Sequence, residues 1–172
     1  PKLGRGYTSN GRTSSVTVFD LATLKVLDSI KLAEKNPDAI LYEPFSNRVF
    51  TFNGGSSNAT AIDAATNKVI GTIALKGKPE FAVTDLKGKV YVNIEDKSLV
   101  TVFDPKTLKV LAEWSLAPGE EPSGLAIDRE NNRLFSVCGN KMMIVLDALT
   151  GKLVTSLPTG SGTDAAAFDP QT

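Results

Sequence analysis

Apolar and polar residues alternate along this chain in short bursts. Segments such as 38–43 (DAILYE), 48–53 (RVFTFN), 58–63 (NATAID) and 68–75 (KVIGTIAL) are rich in Val, Ile, Phe, Tyr and Thr, and are bounded by Gly, Asn, Asp, Pro and Ser. That pattern predicts short strands joined by tight turns; no segment keeps a helical spacing of apolar residues for ten positions. The bursts also recur. Residues 16–27 read VTVFDLATLKVL and residues 100–111 read VTVFDPKTLKVL, with looser copies at 59–70 (ATAIDAATNKVI) and 143–154 (MIVLDALTGKLV). The shared aspartates, Asp20, Asp63, Asp104 and Asp147, lie 43, 41 and 43 residues apart. Four strands, A to D, in a repeat of about 42 residues make one β-propeller blade.

The expected fold is therefore all-β: a β-propeller of four-stranded antiparallel blades, about four of them in this chain. Residues 4–32 supply strands B, C and D of the first blade, 37–75, 79–117 and 122–158 supply three full blades, and 164–169 a lone A strand. Both ends fall in the same A to B turn, the phase expected of a portion of a longer propeller. Three arrangements follow: a closed four-blade ring, an open arc, and a homodimer whose two arcs complete one propeller. Small residues at the starts of the A strands (Ala39, Ala82, Gly124, Ala165) suit crowding around an axis. Phe19, Phe50, Phe52, Tyr91, Phe103 and Phe135 in strands B and C are expected between blades.

The C to D turn reads Asp-x-x-Thr-x-Lys in every copy. An Asp carboxylate accepts N–H bonds from two and three residues on, so the motif is expected to fix turn geometry. The B strands carry YTSN (7–10), FTFN (50–53), YVNI (91–94) and FSVC (135–138). With the C to D motif these resemble the repeat of the YVTN β-propeller family. The resemblance implies a periplasmic, secreted or surface-layer propeller, usually of about seven blades and mostly without established enzymatic activity. It also implies an architecture related to the heavy subunits of amine dehydrogenases.

Composition narrows the chemistry. Histidine is absent, which removes the commonest general base and metal ligand. The single cysteine, Cys138, cannot form an internal disulfide. Lys plus Arg equal Asp plus Glu at 19 each, which gives no electrostatic reason to expect nucleic acid or an anionic membrane as partner. No apolar run reaches the roughly 20 residues of a membrane span. No catalytic, metal or cofactor site is expected, and no cofactor.

Ligand contacts are expected where the D to A and B to C loops form one rim near the axis. The D to A loops place Asp38, Glu80, Ser123 and Asp164 just before the inner strands, a candidate axial ring. The B to C loops, which differ most between copies, offer Arg12, Lys97 and Lys141. The simpler account of both sets is a solvated rim. The function expected is a non-enzymatic binding scaffold for a protein or small ligand. The alternative is a scaffold subunit of an amine-dehydrogenase-like oxidoreductase, which would need a cofactor-bearing partner; nucleic-acid binding ranks third.

Overall fold

The computed structural model describes residues 3–171. Fifteen strands form four antiparallel sheets, each in simple up-and-down order. The first sheet holds β1 (Arg5–Asn10), β2 (Ser15–Asp20) and β3 (Val26–Lys31). The second holds β4 (Pro37–Glu43), β5 (Arg48–Asn53), β6 (Asn58–Asp63) and β7 (Val69–Ala74). The third holds β8 (Pro79–Thr84), β9 (Val90–Ile94), β10 (Leu99–Phe103) and β11 (Val110–Ser115). The fourth holds β12 (Pro122–Asp128), β13 (Arg133–Cys138), β14 (Met142–Asp147) and β15 (Leu153–Pro158). These are blades 1 to 4 of a β-propeller.

Each C to D turn is closed by its aspartate. Asp63 Oδ1 accepts the N–H groups of Ala65 (3.0 Å) and Thr66 (2.8 Å) and the Thr66 hydroxyl (2.9 Å), and Asp20 and Asp147 repeat all three bonds. Asp104 repeats the two N–H bonds. These bonds from the following threonine hold all four carboxyls below the usual aspartate range. A lowered folded-state pKa adds stability above the unfolded value of about 3.9, and that stability is lost as pH falls through the folded values. The urea midpoint is therefore expected to drop below about pH 4. An Asp63→Asn variant, weaker than wild type at neutral pH, should close much of the gap at pH 3.

The residue between Thr and Lys in this turn has positive φ: Leu24 (57°), Asn67 (59°), Leu108 (60°) and Gly151 (73°). The left-handed region suits Asn and Gly far better than Leu. Leu24 is 72% exposed, so packing offsets little of its strain. Leu24→Asn is expected to raise stability by about 0.5–1 kcal/mol, read from the urea midpoint.

The core lies in the three seams between blades. Val16, Val18, Ile30, Val49 and Ile62 fill the first seam, Phe50, Phe52, Ile73, Val92 and Phe103 the second, and Tyr91, Val100, Leu116, Leu134 and Ile144 the third. Phe103 meets Phe50 edge-on at 5.3 Å and Phe52 at 6.5 Å. Phe19 and Phe135, expected between blades, are only half-buried.

Polar latches cross the first and third seams at equivalent stations. The Tyr7 hydroxyl donates to Ala64 O (3.1 Å) and the Tyr91 hydroxyl to Ala148 O (2.9 Å), each reaching the next blade's C to D turn. Burial pushes both phenols above their ordinary range. Phe50 occupies this station in blade 2 and has no hydroxyl. There the Arg48 guanidinium reaches Pro105 O and Lys106 O instead.

The expected A strand at 164–169 forms no ladder. A strand needs a partner for its N–H and C=O groups, and among the described residues β1 pairs with β2 alone. The segment instead lies along β12, the inner strand of blade 4. Ser123 Oγ donates to Thr163 O (3.1 Å), and Phe168 stacks on Phe135 at 5.9 Å. A Cβ on Gly124 would come within 2.7 Å of the Ala165 carbonyl carbon, so this approach requires glycine.

Candidate functional site: the loop rim

In each of the three full blades, the B to C loop is tied to the D to A loop beside it. In blade 2, Gly54 N donates to Asn36 O (3.0 Å), and Lys35 N donates to Ser56 Oγ (2.8 Å). In blade 3, Glu95 N donates to Lys78 O (2.9 Å) and Lys78 N to Asp96 Oδ1 (2.7 Å). In blade 4, Gly139 N donates to Glu120 O (2.9 Å), and Asn140 bonds Glu120 N (3.1 Å) and Pro118 O (2.9 Å). Both loop sets therefore do form one rim. Its main chain is held by bonds that do not depend on a ligand.

Two of the B to C loops contain a short 3₁₀ turn, Gly11–Thr13 in blade 1 and Glu95–Lys97 in blade 3, each followed by a serine in the left-handed region. Blades 2 and 4 lack the turn. The rim thus follows the two-blade similarity seen between residues 16–27 and 100–111.

The four candidate axial residues differ in surroundings. Asp38 and Asp164 are exposed. Glu80 is held by Lys78 at 2.8 Å, and Lys78 also bonds Glu95. These hydrogen bonds, Glu80 first, raise the Lys78 pKa. Ser123 is engaged by the chain after β15, through Thr163. Among the described residues, no three His, Cys, Asp or Glu side chains are placed to hold a metal ion. Glu80 is therefore half of an ion pair, and the ring drawn from the repeat register is uneven.

Arg12, Lys97 and Lys141 are all exposed on the B to C loops. Lys97 pairs with its neighbour Asp96 at 3.1 Å. It lines an open cleft of about 620 Å³ together with Glu95, Asp96, Glu120 and Glu121. Sequence reasoning missed Lys78, whose ammonium joins Glu80 to Glu95 across the two loops. The signal was there in Lys78-Pro79-Glu80, where a cation precedes the only acidic residue of its loop.

Asn93 was also missed. It is fully buried, and its Nδ2 donates to Ser123 O (3.0 Å) and Gly124 O (3.1 Å), while its Oδ1 accepts from Ser136 Oγ (3.1 Å). The register of β12 on β13 slips between Pro122 and Leu125, so neither of those carbonyls faces a ladder partner there. Asn93 thus fastens the start of the inner strand, where rim meets axis. Ser9 Oγ makes the equivalent reach to Asp38 O across the first seam.

The last letter of the B-strand tetrapeptide serves the opposite face. Asn53 Nδ2 donates to Asn58 Oδ1 and Thr60 Oγ1, both at 2.8 Å, and Asn10 bonds Ser15 (3.2 Å) and Thr17 (3.0 Å) in the same way. Ile94 takes this place in blade 3, and the hydroxyl of Thr101, buried at the equivalent of Thr60, is left with no partner. In blade 4 both members have changed, to Cys138 and Ile144. A buried unsatisfied polar group costs about 1–3 kcal/mol. Thr101→Val, which keeps the shape, is expected to raise stability by about 1 kcal/mol in urea titration.

No family model matches the chain, and no curated protein does. Among solved structures, the Kuenenia stuttgartiensis hydrazine synthase superposes with a TM-score of 0.80 at 19% identity, over 89% of this chain and 45% of that one. The chain therefore spans less than half of that relative's length. At this identity the likeness establishes the propeller fold and carries no activity across. No helix among the described residues is long and apolar enough to cross a membrane.

Proposed function

We propose that this chain is a non-catalytic binding scaffold whose rim of D to A and B to C loops receives a peptide segment of a protein partner. The observation that carries this reading is the cross-tying of the rim: its loops are held in place before any ligand arrives, which lowers the ordering cost of binding. Its mixed charge, with Lys97 beside Asp96 and Lys78 between Glu80 and Glu95, suits a polar peptide better than a uniformly charged polymer.

We also propose membership of the YVTN family. Support comes from the work done by the tetrapeptide letters: Tyr7 and Tyr91 latch neighbouring blades, and Asn10 and Asn53 tie strand B to strand C. A periplasmic or secreted location follows from that resemblance alone. Of the three arrangements left open by the repeat phase, the homodimer is favoured by the axis-facing edge of β1, which pairs with no other strand among the described residues. In solution it would show twice the 18.3 kDa chain mass.

The rim is tested by selecting binders from a random-peptide display library on the immobilised chain. Selected peptides should bind Arg12→Glu/Lys97→Glu/Lys141→Glu at least about tenfold more weakly than wild type, as expected for contacts at the centre of an interface. They should bind the outer-strand control Lys68→Glu/Lys109→Glu/Lys152→Glu unchanged. Equal binding to wild type and the rim variant would overturn the reading.

A further inference from the structure

In blades 2 to 4 the left-handed residue of the C to D turn meets the outer strand of the preceding blade, and at each seam the contact has a different chemistry. At the first seam, Asn67 Nδ2 donates to Asp28 Oδ2 of β3 at 3.0 Å. At the second, Leu108 lies over Gly71 of β7 so closely that a Cβ there would stand 2.8 Å from Leu108 Cδ1. At the third the relation inverts. Gly151 lies beneath Trp114 of β11, and a Cβ on Gly151 would stand 2.2 Å from the indole ring. The three contacts are thus polar on polar, knob in hole, and hole under knob.

The turn that carries these residues is otherwise constant. Its Asp and Thr appear in all four copies, and the N–H bonds to the aspartate recur in each. Backbone conformation does not explain the variation either, because Leu, Asn and Gly all hold φ between 57° and 73° at this place. Turn chemistry alone would favour Asn or Gly throughout. Leu108, however, is packed against the buried cluster that holds Phe50, Phe52 and Phe103.

We propose that this contact is a pairing key: the left-handed residue and the side chain it meets specify which blade can follow which. The C strands alone do not tell one neighbour from another, since blades 1 and 3 share ten of twelve residues over 16–27 and 100–111. The seam pairs distinguish them, in the way that complementary and repulsive contacts distinguish coiled-coil partners. Asp28 and Gly71 stand at the third place after the turn lysine, where the other outer strands carry Ala112 and Thr155, and Trp114 stands at the fifth place after Lys109. A leucine key sits over the glycine with no side chain to displace. Blade 3 is thereby matched to blade 2.

A double-mutant cycle tests the key. Gly71→Leu fills the hole under Leu108, and Leu108→Gly removes the knob. Each single change is expected to lower the urea midpoint. The double variant exchanges knob and hole between strand and turn, and its unfolding equilibrium constant should recover by about tenfold relative to the product of the single effects. Gly71→Ala serves the same cycle where Gly71→Leu fails to fold. As a comparison, Leu24→Gly combined with either Gly71 variant should be additive, because Leu24 is exposed and lies in the first sheet of the described residues, far along the chain from Gly71. Additivity in the Leu108 cycle, or equal coupling with Leu24, would overturn the proposal.

Discussion

Phe103→Ala is expected to lower the unfolding free energy by about 3–5 kcal/mol, a large part of the total for a domain of this size. The ring is fully buried and meets two phenylalanines of the preceding blade. Its removal leaves a cavity in a seam whose strands cannot close over it, because their spacing is set by hydrogen bonds within each blade. The informative comparison is Phe19→Ala. Phe19 stands in the same twelve-residue phrase, yet it is half-buried and belongs to none of the buried clusters. Its truncation should cost about 1 kcal/mol, near the centre of the range for ordinary point changes. Urea titrations of the two variants, followed by far-UV circular dichroism, measure the difference directly.

Asn93→Leu should cost about 2–4 kcal/mol by a different route. Leucine matches asparagine in size but supplies neither donor nor acceptor. Ser123 O, Gly124 O and the Ser136 hydroxyl all lose a partner, and the slipped register of β12 supplies no strand partner for the two carbonyls. Asn93→Ser, which copies Ser9 of blade 1, should recover part of the loss by reaching Ser123 O alone. Trp114, packed near Tyr91 in the same seam, gives a fluorescence signal for that seam alongside the global unfolding signal.

The elements read from sequence are those set by local chemistry. The Asp-x-x-Thr-x-Lys turn is written in adjacent letters because its hydrogen bonds span two or three residues, so its structural role was legible before the fold was seen. Strand positions were legible because alternation and turn residues are local as well. The polar contacts that cross a seam were not. Asn93 looks like a displaced letter of YVNI, one place early. In a strand, one place reverses the face: Asn53 serves its own blade's C strand, whereas Asn93 points into the next blade. Thr101 was equally silent, since its defect lies in Ile94, which makes a good strand residue and removes a donor. The lone A strand at 164–169 was drawn from its letters, although a strand exists only through pairing. At the rim, repetition placed Asp38, Glu80 and Asp164 in one register, but register does not reveal that Lys78 already holds Glu80.

The central claim is that the rim is organised before a ligand binds, and amide hydrogen exchange of the free chain tests it most directly. The amides of Gly54, Glu95 and Gly139 each donate across the rim, to Asn36 O, Lys78 O and Glu120 O. Their exchange should be slowed to the range of the core strands, opening only with the blades themselves. Exchange of these three amides at the rate of an unstructured peptide, while β5, β9 and β13 stay protected, would show a rim that forms only on binding and would contradict the account.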